Sequence, residues 1–91
     1  MSAKTAQDAA EVYWAIATHA DPRVAASWKP LYKTAHRELI KAIRDEYHMG
    51  PATALRVLQL VSEYGADDSL TGTDGARGVA SYVAYVRRPQ N

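Results

Sequence analysis

Apolar residues recur at helical spacing along most of the chain. In the segment 5–20, Ala6, Ala9, Ala10, Tyr13, Ile16, Ala17 and Ala20 fall on one face of a helix. Gln7, Asp8, Glu11 and Thr18 fall opposite, which assigns them to solvent. The small alanines predict close packing against another helix. Asp21-Pro22 breaks the pattern, because the residue before a proline leaves the helical region. The segment 22–48 reads as a short helical turn over 22–27 and a main helix from Pro30 to Tyr47, with Pro30 in its first turn. Leu31, Tyr32, Ala35, Leu39, Ala42, Ile43 and Tyr47 form its apolar stripe. Its polar side is sorted by sign. Lys29, Lys33, Arg37, Lys41 and Arg44 make a basic ridge, with Glu38 and Asp45 beside it.

Met49-Gly50-Pro51 is a break and a restart, and a third helix is predicted over Pro51–Tyr64. It is apolar on most of its circumference, through Ala54, Val57, Leu58, Leu60, Val61 and Tyr64. Ala52, Arg56, Gln59 and Glu63 leave a narrow strip for water or a partner, and Gly65 is a good C-cap. Residues 65–78 read as a loop. In 79–88, Val79, Tyr82, Val83 and Val86 keep the helical interval, so the periodicity favours a helix. Its valines and tyrosines, and the turn signal Asp74-Gly75, leave a β-wing as the alternative. The expected fold is a small all-α, four-helix domain over 1–91, with the wing as the variant for its last element.

The 91 residues leave no room for a second domain within them. The chain has no cysteine, which excludes disulfides and thiolate metal sites and fits a cytoplasmic protein. Apolar runs are far shorter than the roughly 20 residues that cross a bilayer, and Met1–Lys4 lacks the charge-then-apolar order of a leader. A net charge of +1 leaves any electrostatic footprint to the layout of charge rather than its total. Six Tyr and two Trp stand against no Phe, so every six-membered or indole ring brings a polar atom that wants a partner.

The residues give no catalytic constellation. His19, His36 and His48 are scattered, with His36 and His48 on different sides of one helical segment, so no metal site is expected. Asp67-Asp68-Ser69-Leu70-Thr71-Gly72 has the alternating oxygens of a calcium loop. Gly78 stands where the bidentate glutamate belongs. No cofactor is expected, and the chain reads as a non-enzymatic binding protein.

The most informative stretch is Ile43 to Gly65. Ile43, Tyr47 and Met49 frame a short turn, and Ala54, Val57, Leu58 and Val61 follow on the next helix. This is the apolar spacing of a helix-turn-helix unit, which needs contacts from the first helix, the turn and the second helix. The stretch resembles the helix-turn-helix of the GntR family of bacterial transcription regulators. Glu46-Tyr47, Ala52-Thr53, Leu58-Gln59-Leu60 and Gly65 carry the resemblance, and Pro30-Leu31-Tyr32 is similar to the opening of that family's DNA-binding domain. The chain departs from the family at Arg44, where a small residue is usual, and at His48, where the turn glycine stands. It departs again at Leu55, where one of a basic pair is expected. The resemblance implies a winged helix that binds operator DNA as a dimer.

On that reading Ala52, Arg56 and Gln59 face the major groove, where arginine can pair with guanine and glutamine with adenine. Thr53 contacts phosphate, and Lys41, Arg44, Arg77, Arg87 and Arg88 hold the backbone. In the wing variant, residues 69–86 form a hairpin with Arg77 at its tip. The alternative is a small helical protein–protein interaction module or inhibitor, phage-encoded and acting on a host protein. The near-neutral charge, the hydroxylated rings and the apolar third helix point that way. Both readings allow a homodimer.

Overall fold

The computed structural model describes residues 5–66 and 78–88. Its elements, in order, are α1 (Ala6–Thr18), a 3-10 turn (Pro22–Val24), α2 (Ala25–Tyr47), α3 (Pro51–Tyr64) and α4 (Val79–Val86). All five are helical, four of them α-helices, and no strand occurs among the described residues. The favoured helical reading therefore holds for 79–86, the wing alternative is corrected there, and the rest of that hairpin, 69–77, lies outside the described residues. Period-3.6 apolar positions Val79, Tyr82 and Val83 all reach the core, which a strand could not arrange.

Helix α1 starts where Thr5 Oγ1 accepts the amide of Asp8 at 3.0 Å, an N-cap that satisfies one of the orphan donors of the first turn. A second orphan donor, Ala6 N, reaches Glu46 Oε1 at 2.9 Å, forty residues away on the last turn of α2. Near the other end of α1, Tyr13 meets Tyr32 and His36. Thus α1 runs antiparallel along α2. Its end is local: Thr18 Oγ1 bonds back to Trp14 O, and Asp21-Pro22 prevents continuation.

Helix α2 begins five residues before Pro30, not at it as expected, and Pro30 sits inside the helix. The proline is tolerated because it lies close to the helix start and is exposed, so the carbonyl it leaves unbonded is open to water. The early start is also tied down. Trp28 Nε1 donates to Asp21 O at 2.7 Å, and Ser27 Oγ donates to Val24 O. Asp21 in turn accepts Arg23 N and pairs with the Arg23 guanidinium, which holds its carboxyl below the usual carboxylate range. Of the expected stripe on α2, Ala35, Leu39 and Ile43 are buried, but Leu31 is 58% exposed. It lies about 100° around the helix from Tyr32, and Tyr32 is the ring that meets α1.

The α2–α3 connection is three residues long, His48 to Gly50. His48 ends α2 in the left-handed region at φ 54°, ψ 53°. Non-glycine residues reach that region only at a cost. Gly50 is the N-cap of α3, and Pro51 occupies its first turn without losing a bond. Gly65 closes α3 at φ 105°, with the Trp14 ring 3.7 Å from where a Cβ would stand.

One core unites the four helices. Tyr13, Leu39, Ile43, Val57, Val61 and Val79 are its largest fully buried side chains. Gln7, assigned by periodicity to solvent, is instead half-buried and bonded into this core. Its Nε2 donates to Ala66 O, and its Oε1 accepts Val79 N at 2.9 Å. One side chain of α1 thus joins the end of α3 to the start of α4. Tyr82 closes the same corner by donating to Gly65 O at 2.9 Å.

Candidate nucleic-acid interface

The positions expected to contact DNA fall on three elements. On α3, Ala52, Arg56 and Gln59 are exposed, and Thr53 is half-buried beside them. Ala54, Val57, Leu58 and Val61 occupy the opposite face in the core. At about 100° per residue, Ala52, Arg56, Gln59 and Glu63 form one continuous row along the outside of the helix. Arg56 and Gln59 have no hydrogen bond or ion pair to any described residue. Leu55 is 40% exposed next to the row. Tyr64, expected in the core, is 50% exposed because it lies in the last turn, beyond the Val61 contact.

On α2, the basic ridge lies away from the core, with Lys29, Lys33, Arg37, Lys41 and Arg44 all exposed. From Lys29 to Arg44 it spans about 22 Å at about 1.5 Å per residue. Lys41 pairs with Asp45 at 2.9 Å, both well exposed. Such a pair contributes little to stability. The other four cations of the ridge have no acidic partner among the described residues.

The tail residues are partly committed to the fold. The Arg87 guanidinium donates to Tyr47 O, one of the carbonyls left open at the end of α2. It therefore also braces the turn that launches α3. Arg88 lies over the Tyr85 ring, 5.8 Å from its centre. Arg77, the expected wing tip, and the calcium-like loop 67–72 lie outside the described residues.

Comparison with known proteins returns no matching family model, no curated relative and no solved structure of significant similarity.

A second polar group, not anticipated from sequence, ties three helices together at the edge of the core. The Tyr13 hydroxyl is 2.8 Å from that of Tyr32 and 2.7 Å from Ser62 Oγ, so α1, α2 and α3 meet through three hydroxyls. Burial pushes the Tyr13 hydroxyl up to about 12, with the Ser62 hydrogen bond opposing the shift and Tyr32 adding to it. A phenol so displaced stays protonated at neutral pH and serves as a structural donor. The Tyr13, Tyr32 and His36 rings stack around it at tilted and edge geometries. The signal in the sequence was the hydroxyl of Tyr13 and of Tyr32 on their apolar stripes, whereas Ser62 lies on no stripe. Its pairing across 19 and 49 residues was not legible. Among the described residues there is no cluster of three metal-ligating side chains, and no helix is long and apolar enough to cross a membrane.

Proposed function

We propose that the chain is a non-enzymatic binding protein whose α2–turn–α3 unit engages duplex DNA, as a small transcriptional regulator does. The observation that carries this reading is the row Ala52, Arg56, Gln59. It is exposed on the first half of α3 and has no hydrogen bond or ion pair to a described residue, with the short α2–α3 turn at its start. A helix presented in this way by a three-residue turn can enter a major groove with its first turns against base edges. Arg56 would pair with guanine and Gln59 with adenine. Thr53, at the edge of the row, would meet a phosphate, as would Lys41, Arg44 and Arg88. Arg87 braces the turn and adds its remaining donors.

The test is fluorescence anisotropy of a mixed-sequence duplex over a salt series, for the wild type and Arg56→Ala. Binding should weaken steeply with salt, because neutralised phosphates release counterions. Arg56→Ala should weaken it further, by about tenfold for the loss of a bidentate contact of about 1–3 kcal/mol at a preferred site. Absence of binding at low salt would exclude the DNA reading. It would favour the interaction-module alternative, for which exposed Leu31, Tyr64 and Tyr85 would be the first surfaces to alter.

A further inference from the structure

We propose that the cleft between the C-terminal end of α1 and the first turns of α2 binds a small organic carboxylate with an apolar body. The cleft lies at the opposite end of α2 from the turn that launches α3, so the proposal does not depend on the DNA reading. It has a volume of about 630 Å³ and is lined by Ala17, Ala20, Trp28, Lys29, Tyr32 and Lys33. That volume lies within the range of about 300–1,000 Å³ typical of small-ligand sites.

The chemistry of the lining selects the ligand. Trp28 and Tyr32 present ring surface, with their planes at 78° and their centres 6.1 Å apart. Both polar ring atoms are already engaged, Trp28 Nε1 with Asp21 O and the Tyr32 hydroxyl with Tyr13. Ala17 and Ala20 add only methyl groups. This floor suits an alkyl or aryl body and offers no partners to the amides of a peptide, whose burial there would be costly.

The rim supplies the charge. Lys29 and Lys33 are both exposed, have no ion pair to a described residue, and stand one helical turn apart. Like charges at that spacing repel each other, and an anion placed between them relieves the repulsion. No carboxylate lines the cleft to compete. An apolar body against the rings therefore brings its carboxylate to the two ammonium groups, whose flexible stems can follow it.

The test uses the whole chain, labelled for amide correlation spectra, titrated to about 1 mM, the scale of affinity such a small contact supports. The probes are octanoate and 2-naphthoate, with octanol and octylamine as neutral and cationic counterparts. Saturable shifts are expected for both carboxylates at the Trp28 indole N–H and at the amides of Ala17, Ala20, Lys29 and Lys33. Octanol should bind more weakly, and octylamine should not bind. The double variant Lys29→Glu/Lys33→Glu, checked for unchanged helicity, should lose about tenfold or more in carboxylate affinity. The proposal fails if neither carboxylate shifts the Trp28 resonance. It fails equally if octylamine matches octanoate, or if the double variant binds as the wild type does.

Discussion

The three-hydroxyl junction between the helices and the outward row on α3 are both polar, yet they differ in how their groups are used. At the junction, Tyr13, Tyr32 and Ser62 satisfy one another across three helices. Along the row, Arg56 and Gln59 bond to no described residue. The same contrast runs through the rest of the molecule. Glu46 is committed to the start of α1, Gln7 to the α3–α4 corner, and Arg87 to the end of α2. Polar groups that hold the fold are bonded inside it, whereas the α3 row is left available. The difference predicts that substitutions at the two kinds of position separate into stability effects and binding effects.

The largest effect is expected in the apolar layer that brings both regions into place. Leu39→Ala removes a fully buried side chain and should destabilise the fold by about 2–5 kcal/mol in chemical denaturation. A value near zero would mean that α2 is not held by this core. Tyr13→Phe should cost about 1 kcal/mol, because it removes the hydrogen bonds to Tyr32 and Ser62 while keeping the ring. It should also change the pH profile. The folded pKa of Tyr13 is raised to about 12 from 10.0, so the folded state holds its proton longer than the unfolded chain does. The stability it confers is complete below pH 10 and is lost as pH climbs from there towards 12. Subtracting the Tyr13→Phe profile from the wild type should isolate that alkaline loss. Identical alkaline slopes would show that the phenol is not shielded.

Glu46→Ala should cost about 1 kcal/mol, the scale of a lost helix N-cap, and should leave α1 more open to hydrogen exchange at its first turn. His48→Gly should act in the opposite direction and stabilise by about 1 kcal/mol, since glycine occupies the left-handed conformation without the side-chain penalty. Thermal melts would register a rise in Tm, and a fall would mean that the imidazole makes a compensating contact. The smallest stability effect belongs to the row. Arg56→Ala should change unfolding free energy by less than about 0.5 kcal/mol, as exposed substitutions generally do. A larger loss would erase the distinction between the two regions.

The parts of this fold legible in sequence were those with local punctuation. Helix α3 runs from Pro51 to Tyr64 as predicted because Gly50-Pro51 and Gly65 mark both ends. The burial of Leu39, Ile43, Val57 and Val61 follows from spacing alone. What escaped depended on neighbours distant in the chain. Gln7 lies on the polar side of α1 by periodicity, but the start of α4 comes to that side and uses it. Pro30 marks a helix start by propensity, yet the Trp28 and Ser27 bonds carry α2 back to Ala25. Leu31 fits the stripe by number and misses it because α1 meets Tyr32 instead. For the candidate interface, exposure of Ala52, Arg56 and Gln59 was legible from the helical interval. The role of Arg87 was not, since its carbonyl partner lies forty residues away.

The most direct test of the central claim is to map amide shifts on the labelled protein as a short duplex is added at low salt. The account predicts shifts concentrated at Ala52, Thr53, Arg56 and Gln59, with weaker ones at Lys41 and Arg44, all reversed by added salt. Shifts confined to the Trp28–Lys33 end of α2, or no shifts at all, would contradict it.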